Sequence, residues 1–205
     1  MFKKLLGLLS DAAIYGASSA LSQIISLFLL PLFTRKLTTG EMGILLMLST
    51  LMLVYVPVAT LGITSAVFRR FNLEKDQQQR SAVLSTGLMS ILISSSVLLL
   101  IGQLFAGTIA TYFVKDASST PVVRLTLLAG ALATVSAMPM ASLRAQRRVR
   151  VLAGFSILKL LTYAGASIWF VVVLEWGVRG AVLGTLAAEV LNVLVLFAVT
   201  VRPFL

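Results

Sequence analysis

Long runs of apolar residues, separated by short polar gaps, dominate this chain. Six runs are each long enough for a helix of about 20 residues to cross roughly 30 Å of hydrocarbon. They cover approximately residues 12–33, 44–68, 82–105, 121–143, 151–174 and 178–201. Because a backbone in lipid must satisfy its own hydrogen bonds, the pattern predicts helices and not isolated strands. We therefore expect an all-α, polytopic membrane helix bundle that forms one domain over residues 1–205.

The composition agrees with lipid as the surrounding solvent. Of the 205 residues, 59% are hydrophobic and 12% are charged, whereas a soluble domain is about half apolar and about a quarter charged. The 17 Lys and Arg residues outnumber the 7 Asp and Glu residues, which gives a net charge of +10. They lie mostly between the apolar runs, where such charge orients a membrane protein. We therefore expect no nucleic-acid partner.

The placement of the basic residues predicts the orientation. With the N-terminus inside, the inner segments hold 11 basic residues and the outer segments hold 5, and Lys159 lies within a run. The inner connections at residues 69–80 and 144–150 carry four each. This bias predicts an even number of spans with both termini in the cytoplasm. Residues 1–10 are either a short interfacial helix or a frayed basic terminus.

The chain contains no cysteine and no histidine. Disulfides, thiol chemistry, the commonest zinc ligands and the usual general base are therefore all missing. The acidic residues are scattered along the sequence and form no cluster. We accordingly expect no enzyme, no cofactor and no metal site.

Two charged residues lie inside the last two runs, Lys159 in the fifth and Glu189 in the sixth. Charges at membrane depth are unfavourable by a few kcal/mol and usually face a cavity or a partner. A tight turn near Trp176 should make these runs antiparallel neighbours, so we predict an ion pair. Lys159 either adds positive charge to a cavity for an anionic substrate or extends to the inner headgroups. Glu189 is assigned to a cavity or the ion pair, with proton or cation coupling as a further role.

Other polar and small residues give weaker signals. Gln23 belongs to a stripe of polar residues at helical spacing, which predicts either a cavity wall or hydrogen bonding between helices. The other members of the stripe are Ser19, Ser22 and Ser26. Prolines within the runs predict helix kinks at Pro31, Pro57 and Pro139. Small residues at every fourth position predict close helix packing at Gly180, Gly184 and Ala188.

The segment Leu30–Gly43, LPLFTRKLTTGEMG, resembles the exit from the first span in bacterial polysaccharide flippases. The matching positions are Thr34, Arg35, Glu41 and Gly43. Residues 69–87 are similar to the second inner connection of that family, and residues 143–188 also look similar, with a basic turn followed by a Gly-Val-Arg-Gly opening of the sixth run. The resemblance covers nearly the whole chain and places it in the superfamily that also contains multidrug/toxin extrusion exporters and lipid II flippases.

The resemblance implies a fold and a function. Members look like two six-helix lobes around a central cavity, and they are thought to move undecaprenyl-pyrophosphate-linked oligosaccharide across the bacterial inner membrane, for example for O-antigen and lipopolysaccharide. Members usually have about twelve to fourteen spans, so this chain looks like an N-terminal lobe alone. We expect either a truncated product or pairing with a second lobe or with another copy. The candidate residues for substrate binding or coupling are Lys159, Glu189, Gln23 and Arg35.

Other functions remain open at this point. A drug/cation antiporter would need an acidic, aromatic-lined cavity, whereas Glu189 is the only deep acidic residue and Lys159 is near it. A membrane-embedded enzyme would need clustered carboxylates, histidine or a metal. An assembly subunit without transport is the third alternative. No GxxxxGK[ST] motif is present, so we expect an ion gradient or downstream consumption to drive a flippase.

Overall fold

The structure is a computed structural model that describes residues 16, 20, 23–25, 27–74, 76–146 and 148–200. We number its α-helices in chain order, with α1 at residues 27–36. The others are α2 (Thr39–Thr60), α3 (Ile63–Leu73), α4 (Gln77–Leu104), α5 (Ala106–Ile109), α6 (Thr120–Ala145), α7 (Val149–Ile168) and α8 (Gly177–Thr200). The shorter helical turns are a π-helical turn after α5 (Ala110–Val114), a 3₁₀ turn before α6 (Ala117–Ser119) and a π-helical turn after α7 (Trp169–Val173). The described residues contain no β-strand.

Five stretches of the described chain are long and apolar enough to cross a membrane. They are Thr39–Thr60, Gln78–Leu104, Ala117–Arg144, Arg150–Val173 and Gly177–Val199. Large apolar side chains also face outward, and Leu53, Leu100 and Leu104 are 75%, 66% and 82% exposed. Apolar surface of this extent fits contact with lipid and not with water. The predicted all-α membrane bundle is confirmed.

The first predicted run, residues 12–33, lies only partly within the described part of the chain. The residues of that run that are described are helical, and its last part belongs to α1. Ser19, Ser22, Ser26 and the opening segment 1–10 lie outside the described residues. The count of six spans therefore stays a prediction.

The second predicted run differs from the structure, because residues 44–68 do not form one continuous helix. The chain leaves the right-handed helical conformation at Leu61 and Gly62, whose φ angles are 46° and 71°. Pro57 lies one turn earlier, and its carbonyl accepts the N–H of Leu61 at 3.2 Å. Glycine adopts positive φ without steric strain, so Gly62 permits the break. The helix α2 thus ends at Thr60, and α3 begins as a separate helix.

The connection between α3 and α4 is shorter than the sequence suggested. The sequence pattern predicts a connection at residues 69–80, with a hydrated turn over its polar part, residues 72–80, yet α3 runs to Leu73 and α4 begins at Gln77. The side chain of Asp76 accepts a hydrogen bond from the N–H of Gln78, which caps α4. Arg80 holds the turn closed, since its Nε donates to the carbonyl of Glu74 at 2.8 Å. Polar residues here extend the helices instead of interrupting them.

Helix α6 lies at the centre of the bundle. In its membrane-spanning part 56% of residues are buried, against 17–33% in the other four spans. It packs against α2, α4 and α8 around one apolar core. Two neighbouring serines of α4 join the helices, since Ser94 donates to the carbonyl of Ala59 in α2 at 2.6 Å and Ser95 to that of Ala131 in α6 at 3.3 Å. Such hydrogen bonds stabilise contacts between membrane helices, because the hydrophobic effect does not favour helix association in lipid.

Helices α7 and α8 approach each other closely through small residues, as predicted. A Cβ atom placed on Gly180 would lie 2.8 Å from the backbone carbonyl carbon of Phe170, and one on Gly184 would lie 2.9 Å from the Cα of Ser167. Ala188, the third small residue, is 1% exposed. The turn between the two helices is tight and passes through Glu175 and Gly177 at positive φ.

Cysteine labelling tests which ends of the helices share a side of the membrane. Lys36 contacts Glu175 at 2.7 Å, so the end of α1 lies near the α7–α8 turn. Arg148 precedes the opposite end of α7, which with its π-helical turn measures about 37 Å along the axis. We expect the single variants Thr39→Cys and Arg148→Cys to react with an impermeant maleimide from opposite sides. The chain has no native cysteine, and reaction of both variants from one side would contradict the arrangement.

Candidate functional site

The ion pair predicted inside the bundle is present. The Nζ of Lys159 on α7 lies 2.6 Å from Oε1 of Glu189 on α8. The lysine side chain is 39% exposed and the glutamate side chain 3%. Lys159 is about 15 Å along the axis from the first residue of α7. A charge at such depth needs a partner, and each residue supplies it for the other.

A cavity of about 520 Å³ lies beside this pair, between α3, α6, α7 and α8. Most of the side chains that line it are polar. These are Thr64, Ser136, Arg144, Ser156, Lys159, Tyr163 and Asn192. Two of them are cationic and none is a carboxylate, so the lining favours a ligand with negative or hydroxyl-rich groups.

The amide of Asn192 is the least satisfied polar group in the lining. Asn192 is 1% exposed, and among the described residues neither Nδ2 nor Oδ1 has a hydrogen-bond partner. Oε2 of Glu189, about one helical turn earlier, is also buried without a partner among the described residues, although Glu189 itself lies behind the lining. A buried polar atom without a partner is unfavourable by about 1–3 kcal/mol. Atoms of this kind at a cavity wall are typical of a binding site.

Arg144, like Asn192, lines the cavity without having been predicted to do so. In the sequence it belongs to the basic connection at residues 144–150, which predicts the orientation. It lies in the last turn of α6, its side chain is exposed, and it reaches the cavity. It pairs with no carboxylate of the described part of the chain. Its spacing from Ser136 and Met140, four residues each, would have placed all three on one face of α6.

Two other predicted candidates do not line this cavity. Arg35 lines a separate cavity of about 360 Å³ with Lys36, Phe28 and Val172. The side chain of Gln23 is exposed. Their assignment to a substrate or coupling site stays a prediction, and the structure brings neither of them into the group around Lys159.

At the same end as Arg35, Lys36 contacts the carboxylate of Glu175 in the α7–α8 turn at 2.7 Å. The hydrogen bond and the positive charge of Lys36 hold the pKa of Glu175 below its ordinary value. This exposed pair connects α1 to the turn and lies apart from the Lys159 cavity.

Among the residues that carried the family resemblance, Glu41 stabilises the start of α2. Glu41 and Thr38 form a capping box, in which the Glu41 side chain accepts the Thr38 N–H at 2.9 Å and Thr38 accepts the Glu41 N–H at 3.3 Å. Glu41 also lies directly against Gly177, where a Cβ would collide with its carboxylate. Gly43 is exposed, with open space around its Cα.

Each proline that was predicted to kink a helix shares one local arrangement. A hydroxyl three residues later donates to the carbonyl oxygen of the proline. The three bonds run from Thr34 to Pro31, from Thr60 to Pro57 and from Ser142 to Pro139, at 3.1, 3.0 and 2.7 Å. All three prolines lie within helices, and the kinks themselves stay a prediction.

Comparison with known proteins supplies a family match that covers most of the chain. The family described as "Polysaccharide biosynthesis protein" matches residues 8–205. No curated protein and no solved structure matches the chain.

Proposed function

Since the chain belongs to the polysaccharide biosynthesis protein family, we propose that it is a flippase component that moves a lipid-linked oligosaccharide precursor across the bacterial inner membrane. The precursor would carry a pyrophosphate and a glycan on a polyprenyl chain. The family and the five long apolar helices establish a membrane protein of polysaccharide biosynthesis. The transport step, its substrate, the inner membrane and the cytoplasmic termini are parts of the proposal.

One observation carries the proposal, namely a cavity of about 520 Å³ with cationic and hydrogen-bonding walls inside an apolar bundle. Polar groups at membrane depth are energetically unfavourable, and those that are present usually line a substrate pathway or pair with another polar group. The guanidinium group of arginine can form two parallel hydrogen bonds to phosphate oxygens. Hydroxyl and amide side chains form hydrogen bonds to sugars. The cavity thus offers both kinds of contact that a glycan pyrophosphate needs.

The same geometry disfavours the alternative of a cation antiporter. Among the described residues, the cavity lining contains Arg144 and Lys159 but no carboxylate. The nearby carboxylate of Glu189 already has the Lys159 ammonium 2.6 Å away. A cationic drug would therefore meet a net positive wall. A non-transporting assembly subunit remains the second candidate, because a binding cavity alone does not require translocation.

Alternating access moves one repeat against another around a site at their interface. A second six-helix lobe, or another copy of this chain, is therefore part of the proposal as a partner. Lipids of the membrane are the other expected partners. Catalysis is not part of the proposed role.

A complemented strain tests the function. We expect Arg144→Ala and Glu189→Gln each to reduce surface polysaccharide at least tenfold, because they remove the cavity cation that pairs with no described carboxylate and the partner of Lys159. The total amount of lipid-linked precursor in the membrane should rise at the same time, as measured by lipid extraction and mass spectrometry.

The matched control is Arg124→Ala, which removes an exposed arginine of α6 that does not line the cavity. Its surface polysaccharide should be normal. Normal polysaccharide in both cavity variants, at normal protein levels, would contradict the proposed site. Loss of polysaccharide without accumulated precursor would point to an assembly role instead of transport.

A further inference from the structure

The two cations of the cavity are not equivalent. The charge of Lys159 is offset by the Glu189 carboxylate at 2.6 Å, so a phosphate that approached Lys159 would also meet a negative group. Arg144 is exposed, and no carboxylate of the described chain lies within ion-pair distance of it. An anionic headgroup is therefore favoured at Arg144 and disfavoured at Lys159.

The polar atoms near Lys159 that lack partners call for another kind of ligand. Asn192 lines the cavity, and its Nδ2 is a donor whereas its Oδ1 is an acceptor; both are buried without a hydrogen bond to the described residues. A phosphate oxygen only accepts, so it would leave Oδ1 unsatisfied. A sugar hydroxyl both donates and accepts, and neighbouring hydroxyls can satisfy both atoms of the amide.

We infer that Asn192 and Lys159 form a subsite for the hydroxyl groups of a saccharide, while Arg144 holds the phosphate that links the saccharide to its lipid. This inference rests on the proposed function and specifies how the substrate lies in the cavity. Arg144 is at the end of α6, and Lys159 is about 15 Å along α7 from the same end of the bundle. The sugar therefore enters the bundle more deeply than the phosphate does.

Asn192 is the residue that determines recognition of the sugar in this arrangement. Loss of its amide removes one donor and one acceptor for a hydroxyl but leaves the phosphate contact at Arg144 unchanged. Loss of the Arg144 fork weakens the phosphate contact whether or not a sugar is present. The two residues therefore have separable effects on binding.

Binding to the purified full chain in lipid nanodiscs tests this separation. The two probes are undecaprenyl pyrophosphate and undecaprenyl-pyrophosphoryl-N-acetylglucosamine, and native mass spectrometry measures their affinities. We expect Asn192→Leu, which conserves size, to weaken binding of the sugar-bearing lipid about tenfold and to leave binding of the bare pyrophosphate lipid unchanged. Arg144→Gln should weaken both by the same factor.

The matched control is Thr134→Val, an isosteric loss of another fully buried hydrogen-bonding group of the bundle. Thr134 is 0% exposed, bonds to the carbonyl of Gly130 and does not line the cavity, so both affinities should be unchanged. If Asn192→Leu does not fold, Asn192→Ser retains a polar group and should still show a selective loss for the sugar-bearing lipid.

Four results would overturn the inference. Unchanged affinity of the Asn192 variants for the sugar-bearing lipid would show that water or nothing fills the subsite. An equal loss for both lipids would assign Asn192 to the phosphate or to packing. Equal wild-type affinity for the two lipids would remove the sugar subsite while leaving the proposed function intact. If the wild-type chain bound neither lipid, the proposed function itself would fail, and this inference with it.

Discussion

Replacement of Lys159 by methionine is expected to destabilise the folded protein by about 3–5 kcal/mol, the usual effect of leaving one member of a buried ion pair alone. The side chain of Glu189 is 3% exposed, and methionine at position 159 would leave its Oε1 without the ammonium. Oε2 already lacks a partner among the described residues, so the variant would remove the one close partner that the carboxylate has there. Equilibrium unfolding in mixed micelles, compared with the wild type, measures the change.

Two variants sharpen this test. The double replacement Lys159→Met/Glu189→Leu removes both charges and should recover most of the lost stability, since buried ion pairs can be exchanged for apolar pairs at little net cost. It should not recover polysaccharide export. The second variant, Lys36→Met, breaks the exposed Lys36–Glu175 pair of nearly equal length and should have little effect. Equal, small effects of Lys159→Met and Lys36→Met would contradict the buried character of the deeper pair.

Gly184→Ala is expected to separate α7 from α8 and to lower stability by about 1–3 kcal/mol, as overpacking of a close contact does. The added methyl group would lie 2.9 Å from both the Cα and the N of Ser167. These are backbone atoms, so no side-chain rotation relieves the overlap and the helices must move apart. Glu189 lies on α8 just over one turn away, so export should fall as well.

Gly165→Ala is the matched control for this substitution. Gly165 lies on α7, and a Cβ there would have no neighbour within 4 Å. Alanine forms helices better than glycine by about 1 kcal/mol, so this variant should be as stable as the wild type or more stable. Unfolding midpoints that do not differ between Gly184→Ala and Gly165→Ala would rule out the close approach of the two helices.

Hydropathy predicts the helices of this bundle well because lipid leaves a backbone few other choices. Hydropathy does not predict the break at Leu61 and Gly62. Both residues continue an apolar run, although their φ angles are positive and the helix ends there. Pro57 and Gly62 together were a signal for the break, but each alone is common in membrane helices. The polar residues 77–80 mislead in the opposite sense, because a run of polar residues is typical of a turn although the backbone here is already helical.

The sequence predicts the part of the site that consists of charged residues within the apolar runs. Lys159 and Glu189 stand out against apolar neighbours, and the antiparallel arrangement of α7 and α8 is enough to pair them. Asn192 is uncharged, and its importance comes from an unsatisfied amide that only the packing reveals. Arg144 has two interpretations in the sequence, topological signal and cavity wall, and only the position of α6 against α7 distinguishes them. Arg35 was grouped with Lys159 by analogy, whereas α1 ends near the α7–α8 turn.

The length of α4 has a consequence for where a substrate could enter. Its 28 residues measure about 42 Å, roughly 12 Å more than the hydrocarbon layer is thick. Helix α3 packs along the early part of α4, through contacts that include Leu84 and Ile91. The first residues of α4, Gln77–Arg80, are polar and lie at the end of the bundle where Arg144 lies, so we expect the mouth of the cavity to be level with the phosphates of the surrounding lipids. Under the proposed function, a headgroup would then enter sideways from the leaflet without first leaving its own layer.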